Sequence, residues 1–553
     1  MRTWGPSGAA AAIRRAQAVS TYARSTGCGV DEATEALGPS VSRRRFLMGA
    51  GAAATAIALP GVVAGPVTAS PRRRKRGTGS VVIVGAGIAG LGCAYRLWIR
   101  HGIRADLYEY DIVPGGRIRT LRGYFGDGQL VEQHAEFINP EHTATLELAR
   151  SFGLTLDNAD KYPPGTHPLQ ETMRFGGHSW PQASLDQDWH DWGWQLFHDA
   201  AFTKAPWPTL YNASTEWGRR FDQMSVVEWL DAYVPGGINS DFASVCVAAV
   251  LDEFGGPADE QSALNLVYLL GQDDTRSNSV QPHAQPQLAG ANEKWHIHEG
   301  NDQLISGLVE RLPEDAVHLD QRLVAVRSEG SGGFTCTFQN GASTQDIAAD
   351  HVVLAMPFTT LKSVDLDGVS ISELHRRAVQ EEPLGTNSKL FLQFDTRVWN
   401  AEHRSGNVFC DGVVQGGWDP TIYQAGPSGI LAALPGGRDG QRWGTRYELT
   451  SYVGPAPDVM VQEYLDGWDR LFPGVKQAYN GQSFYVWSPG DPHILGAYSY
   501  LKVGQYTGFN GIQGQREGNL HFAGEQTSVD FQGYIEGGLR SGYRCATEVA
   551  GRG

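Results

Sequence analysis

Ser80-Val81-Val82-Ile83-Val84-Gly85-Ala86-Gly87-Ile88-Ala89-Gly90 decides the fold. A β-branched run meets a glycine-rich turn, and residues 91–101 follow as a predicted helix. Residues 105–109 are a second predicted strand, ending at Glu109. This is a βαβ unit. Gly85 permits the tight turn, Gly87 lets backbone approach a pyrophosphate, and Gly90 lets helix and strand pack closely. Ala86 and Ala89 complete the candidate contact loop, and the helix N-terminus faces the phosphates. Glu109 falls where an acid binds ribose hydroxyls, which disfavours a 2′-phosphate. The pattern predicts a dinucleotide site but does not separate a nicotinamide from a flavin nucleotide.

Upstream, Ser42-Arg43-Arg44-Arg45-Phe46-Leu47 precedes an apolar run, residues 48–67, with small residues at Val67-Thr68-Ala69. The pattern resembles a twin-arginine signal, which implies export of an already folded protein and a secreted or periplasmic location. The run is rich in Ala and Gly and only weakly hydrophobic, which argues against a permanent membrane anchor. Residues 70–79, with Arg72-Arg73-Arg74-Lys75-Arg76, read as a solvated basic linker.

The formal net charge is −15, which argues against nucleic acid and anionic membranes as partners. It mildly favours cationic small molecules, although solubility alone accounts for such a charge. The six cysteines, Cys28, Cys93, Cys246, Cys336, Cys410 and Cys545, lack metal or disulfide spacing. No metal site is legible, and each reads as a small buried apolar residue.

Downstream, residues 143–152, 226–233, 260–271 and 303–312 are predicted helices, and 323–326, 334–338, 351–355, 389–394 and 520–523 are predicted strands. From about Pro163 to Pro286 the chain is Trp-rich and helical, as an inserted part of a substrate domain would be. Trp189, Trp192, Trp194 and Trp207 suit either domain core or an aromatic channel, with core favoured.

Several spaced motifs in order carry a resemblance to the flavin-containing amine oxidase family. Pro114-Gly115-Gly116-Arg117-Ile118-Arg119-Thr120 resembles its second glycine motif, and Val131-Glu132-Gln133-His134-Ala135-Glu136-Phe137-Ile138 its segment over the flavin, with His134 where glycine is usual. Gly300-Asn301-Asp302-Gln303-Leu304, Val352-Val353-Leu354-Ala355-Met356-Pro357 and Phe522-Ala523-Gly524-Glu525-Gln526-Thr527 continue the match, and Gly533-Tyr534-Ile535-Glu536-Gly537-Gly538 closes it. The resemblance implies an α/β chain: a glutathione-reductase-like FAD domain of Rossmann βαβ type, with an interleaved α+β substrate domain that includes a helical insertion. The predicted FAD segments are 80–155, 295–365 and 490–553. The predicted substrate segments are 156–294 (helical) and 366–489 (sheet), after a signal region over 1–69. The cofactor contacts it implies are Gly85, Ala86, Gly87, Ala89, Gly90, Glu109, Gly115, Gly116, Arg117, Glu136, Phe137, Val324, Gly524, Glu525, Gly533, Tyr534 and Ile535, with Gln532 beside them.

By the same resemblance, Lys389 holds a water against flavin N5, where a cation also steadies negative charge on reduced flavin. An edge-strand lysine in solvent is the plainer alternative. Tyr498 and Tyr534 match two aromatics that flank the amine, and Trp487 matches a tryptophan near the site, with plain packing as its alternative. Ala497 stands where animal monoamine oxidases carry a flavin-linking cysteine, so FAD is expected to be non-covalent.

The implied reaction is oxidative deamination of an amine with O2, giving aldehyde, ammonia or a smaller amine, and H2O2. The alternative is an L-amino-acid oxidase. Its carboxylate-binding arginine is missing from Glu136-Phe137-Ile138-Asn139-Pro140. Glu136 reads either as an attractor for a second cationic group of a diamine or as a turn cap. A desaturase or isomerase on the same fold, or a flavin scaffold without turnover, are further alternatives. The assembly, a homodimer included, is left open.

Overall fold

Strand β1 (Val81–Val84) is buried along its whole length, as an unbroken β-branched run at the centre of a parallel sheet must be. In the computed structural model, which describes residues 79–158, 170–180, 184, 188, 192–271, 294–330 and 332–551, helix α1 (Ile88–Arg96) begins immediately after Gly87. It starts at Ile88 rather than at residue 91, because the extended Gly87 already ends the turn. A π-helical turn, Leu97–His101, prolongs it until Gly102 at φ 62 stops it. Strand β2 (Asp106–Tyr108) ends one residue before Glu109. The signal region, residues 70–78 of the basic linker, Cys28 and Trp189 lie outside the described residues.

From β2 the chain leaves the sheet through strand β3 (Val131–Glu132) and a group of helices that includes α2 (Asp241–Phe254). It returns for strands β4 (Val317–His318) and β5 (His351–Leu354). It leaves again for β6 (Lys389–Phe394), β7 (Gly416–Trp418), β8 (Gly429–Ala433) and β9 (Tyr479–Val486). Strand β10 (Leu520–Phe522) and helix α3 (Ile535–Val549) bring it back a third time. The five-stranded sheet runs β10-β5-β1-β2-β4 and is parallel throughout. Helices α1 and α3 pack together, with Gly542 letting α3 approach so closely that a Cβ there would meet Ala89 O at 2.1 Å.

A second sheet of eight strands contains β9-β6-β8-β7 in that order. Strand β6 is interior and antiparallel to both neighbours, so the edge-strand alternative for Lys389 is excluded. Its side chains alternate between two cores. Leu390, Leu392 and Phe394 join Trp399, Trp443, Tyr464 and Trp468 on one face. Phe391 joins Phe125, Val131, Ile430 and Val486 on the other.

The helical region forms around Val226–Tyr233, closed at its start by a reciprocal Ser225–Glu228 capping box. Trp192 and Trp207 pack against the core of Phe197, Phe221, Trp229 and Phe242, which makes them structural rather than channel residues. Cys93, Cys246, Cys336, Cys410 and Cys545 are free and buried, and burial pushes each thiol up from its ordinary value.

Candidate active site

Two glycine turns from separate stretches meet backbone to backbone. Gly87 bridges Gly115 in parallel, and Gly115 N donates to Ala86 O at 2.9 Å. Gly85 (φ 100), Gly115 (φ 126) and Gly116 (φ 57) adopt conformations that side chains rarely take. A Cβ at Gly90 would meet Gly85 O at 2.0 Å, so the close helix–strand packing expected of Gly90 is present. Helix α1 has no side-chain cap, so its first N–H groups are left for an anionic partner. Glu109 accepts the Ala86 and Asp111 N–H groups at 2.6 and 2.8 Å, and burial raises its carboxyl above the ordinary value. Val324 lies on the strand Arg322–Ser328, just beyond Gln321, whose N–H donates to Glu109 O at 2.7 Å.

The third visit of the chain completes this half. Glu525 accepts from Arg117 Nη1 (2.8 Å), Ser499 Oγ (2.6 Å) and Gly533 N (2.7 Å). Arg117 also donates to the Ala497 carbonyl at 2.7 Å. Gly524 (φ 130) and Gly533 (φ 87) turn the chain into α3, whose start at Tyr534-Ile535 likewise lacks a side-chain cap. Gln526 Oε1 beside them is buried without a hydrogen-bond partner. Glycine positions with no room for a side chain, two uncapped helix starts, a buried acid at the end of β2 and an orphaned buried acceptor together fit a dinucleotide.

Lys389 begins β6 on the same sheet face as Phe391 and is buried. Its ammonium donates to Glu136 Oε2 (2.8 Å), His134 O (2.8 Å) and Glu132 O (3.1 Å). All three hydrogens are thereby directed to protein oxygens, so the water implied by the resemblance would have to take over one of these bonds. Trp418 of β7 donates from Nε1 to Glu136 Oε1 at 2.9 Å, and its ring centroid lies 5.1 Å from Lys389 Nζ. The segment 131–138 is held from behind by Asn301. Asn301 N–H bonds Glu132 Oε1 (2.8 Å), and its side chain donates to Ala135 O and Glu136 O. Desolvation lowers the His134 imidazole to about 3, so it is neutral beside this cation.

Gly533, the residue before Tyr534, lies beside the base of Tyr498, since a Cβ on Gly533 would lie 3.8 Å from Tyr498 Cβ. Their tips reach successive residues at the end of α2: Tyr498 Oη donates to Asp252 O and Tyr534 Oη to Glu253 Oε1. His142, lowered to about 3 by burial, packs edge-on to Tyr534 with centroids 4.9 Å apart. Asn387 Nδ2 donates to Leu251 O and Asp252 O, which ties the turn before Lys389 to the same helix end. The lysine and both tyrosines expected from sequence therefore converge.

One expectation is corrected. Val486, not Trp487, stands opposite Lys389 across the β6–β9 pair, so the strand's two-residue alternation sends Trp487 to the opposite face. There its indole packs against Gly444 and Gly490 and donates to Gly440 O at 3.2 Å, as packing rather than catalysis. Glu136, expected as a cofactor contact and read as a diamine attractor or a turn cap, has its carboxylate held by Lys389 and Trp418. Phe137 lies beside it, 6.3 Å between centroids from Trp418.

Sequence reasoning missed Asp252, Glu253 and Trp418. The one local signal was Leu251-Asp252-Glu253-Phe254-Gly255-Gly256, an acidic pair closing an otherwise apolar helix. Burial pushes the Asp252 carboxyl up to about 7, with Glu253 adding to the shift and Lys389 opposing it. Burial also raises Glu253, against the Tyr534 hydrogen bond.

Comparison with known proteins agrees with this construction. Residues 88–550 match the model of the flavin containing amine oxidoreductases. The chain is 23% identical to the flavin-containing amine oxidase B of Cavia porcellus, covering 85% of each chain. It is 21% identical to an L-amino acid dehydrogenase of Synechocystis sp., covering 85% of this chain and 94% of the other. Putrescine oxidase bound to putrescine superposes with a TM-score of 0.71 at 19% identity, over 86% of this chain and 99% of that one. The nucleotide half, the lysine on an interior strand and the paired tyrosines thus have one common source: the chain belongs to the family of flavin-containing amine oxidoreductases.

Proposed function

We propose that the protein is an FAD-dependent amine oxidase that converts a primary or secondary amine, with O2, to an aldehyde, ammonia or a smaller amine, and H2O2. The observation that carries this reading is the pair Tyr498 and Tyr534, both anchored at their tips to the helix end that also holds Asn387, two residues before the buried Lys389. Gly85, Gly87, Gly90, Glu109, Gly115, Gly116 and Arg117 would hold the nucleotide, and Gly524, Glu525, Gly533 and Ile535 the flavin end. When bound, FAD accepts the hydride from the carbon that bears nitrogen and passes the electrons to dioxygen.

The protein's own groups do the rest. The two phenol rings orient the amine between them and attract its positive edge. Enclosure disfavours the charged form, so an ammonium entering the pocket gives up its proton more readily than in water. Lys389, fixed by three oxygens, contributes a cationic group in a buried site, where charge acts most strongly. Ala497 offers no thiol, and its carbonyl is taken by Arg117, which supports non-covalent flavin.

Peroxide release from purified yellow protein tests the reading against a panel of amines and amino acids. Peroxide with amines alone supports it. A strict need for an α-carboxylate would transfer the assignment to amino-acid oxidation, and no peroxide with any member would remove the oxidase assignment.

We further infer export through the twin-arginine route, on the strength of Ser42-Arg43-Arg44-Arg45-Phe46-Leu47 and the apolar run after it. Among the described residues no helix is long and apolar enough to cross a membrane. Arg43→Lys/Arg44→Lys should retain the protein inside the cell, and unchanged export would refute the route.

A further inference from the structure

The ammonium of Lys389 has three hydrogens, and all three end on protein oxygens: Glu136 Oε2 at 2.8 Å, His134 O at 2.8 Å and Glu132 O at 3.1 Å. The two carbonyls belong to the segment that Asn301 pins from behind. Glu136 is the partner that brings a charge, and both members of the pair are buried. Trp418 Nε1 occupies its other oxygen at 2.9 Å. Among the described residues no backbone N–H donates to this carboxylate, so it caps no turn. A buried ion pair is a poor device for stability, since desolvation offsets most of its attraction. What it does change is the field. A lone ammonium projects a full charge, whereas a paired one projects a dipole, whose potential dies away faster with distance. The neighbouring cations are matched in the same way, Arg117 by Glu525 and Arg119 by Asp111. Without the Glu136 charge, Lys389 would stand unmatched among them.

We propose that Glu136 is a positioning residue that sets how much of the Lys389 charge reaches the flavin, and with it how readily the flavin is reduced. This rests on the reading of the Lys389 region as the flavin end of the site. Reduced flavin carries negative charge, which an unmatched cation stabilises. Paired with Glu136, Lys389 gives less of that stabilisation, so the reduction potential is held down. Trp418 tempers the effect, because its indole N–H draws on the carboxylate charge from the other side. The stoichiometry is untouched: two electrons and one proton still arrive as hydride from the carbon that bears nitrogen. Glu136 shifts only the equilibrium between oxidised and reduced flavin.

The test is the midpoint potential of the FAD-loaded protein, read anaerobically by equilibration with a reference dye, which needs no amine. Glu136→Gln keeps the side chain's shape and removes its charge. It should favour reduced flavin by on the order of 10-fold, a potential about 30 mV more positive for a two-electron couple. Trp418→Phe keeps a ring but loses the N–H, and should move the potential by less and in the opposite direction. In a Lys389→Met background, Glu136→Gln should change nothing, because a carboxyl buried without its cation is neutral, like the amide. An unchanged potential in flavin-loaded Glu136→Gln protein would overturn the proposal. So would an equal shift with and without Lys389, which marks altered packing rather than altered charge. Should Glu136→Gln fail to hold flavin, Trp418→Phe decides: a more negative potential supports the proposal, and an unchanged or more positive one overturns it. The peroxide panel separates this from the oxidase reading. A shifted potential without peroxide from any amine leaves the role of Glu136 standing and removes the oxidase, and peroxide without a shift does the reverse.

Discussion

Lys389 Nζ lies 2.8 Å from Glu136 Oε2, a buried ion pair between residues 253 positions apart in the chain. It joins the interior strand β6 to the segment after β3, and Trp418 holds the other carboxylate oxygen.

Lys389→Met should retain FAD while slowing flavin reduction or reoxidation by on the order of 100-fold. It should also destabilise the fold by about 3–5 kcal/mol, because Glu136 is left buried and unpaired. Stopped-flow absorbance and thermal melting read the two effects separately. Glu136→Gln added to Lys389→Met should recover part of the stability and none of the rate. Wild-type flavin rates in Lys389→Met would remove the assigned role.

Gly90→Ala should cost about 1–3 kcal/mol, since the new methyl would overlap Gly85 O at 2.0 Å and push α1 off β1. The displaced helix start can no longer meet the phosphates. Purified variant should therefore carry markedly less flavin per chain, read from the ratio of visible to ultraviolet absorbance. A full complement of flavin would show that this contact does not shape the site.

Acid precipitation should leave the yellow colour in the supernatant. Ala497 supplies no nucleophile, and the five described cysteines are buried. Colour that stays with the pellet would establish a covalent link.

Stability should depend on pH through Asp252. Its carboxyl rises from an ordinary 3.8 to about 7 in the folded chain, mainly by burial. Below about pH 4 both states hold the proton and there is no penalty. Between about pH 4 and 7 the unfolded chain ionises first, so the folded state loses stability as pH rises, and above about 7 the loss is complete. Asp252→Asn should flatten this part of the melting-temperature profile and melt higher than wild type at pH 8. A profile identical to wild type would show that Asp252 is not held protonated by the fold.

The sequence by itself determined whatever depends on neighbouring residues. The βαβ unit was legible because a β-branched run, three spaced glycines and an acid at the end of the next strand must lie close along the chain. Strand β6 and helix Val226–Tyr233 were legible through their alternation, period and caps. Tyr498, Tyr534 and Lys389 were found through family motifs, which record a spatial arrangement that no periodicity contains.

Tertiary structure alone decided which charges face each other. Glu136 found Lys389, and Trp487 lost its expected place to Val486 because strand register assigns each residue to one face. Asp252 and Glu253 reached the tips of two tyrosines from far along the chain. Such pairings are set by how whole elements pack, and contacts across hundreds of residues leave no trace in local composition.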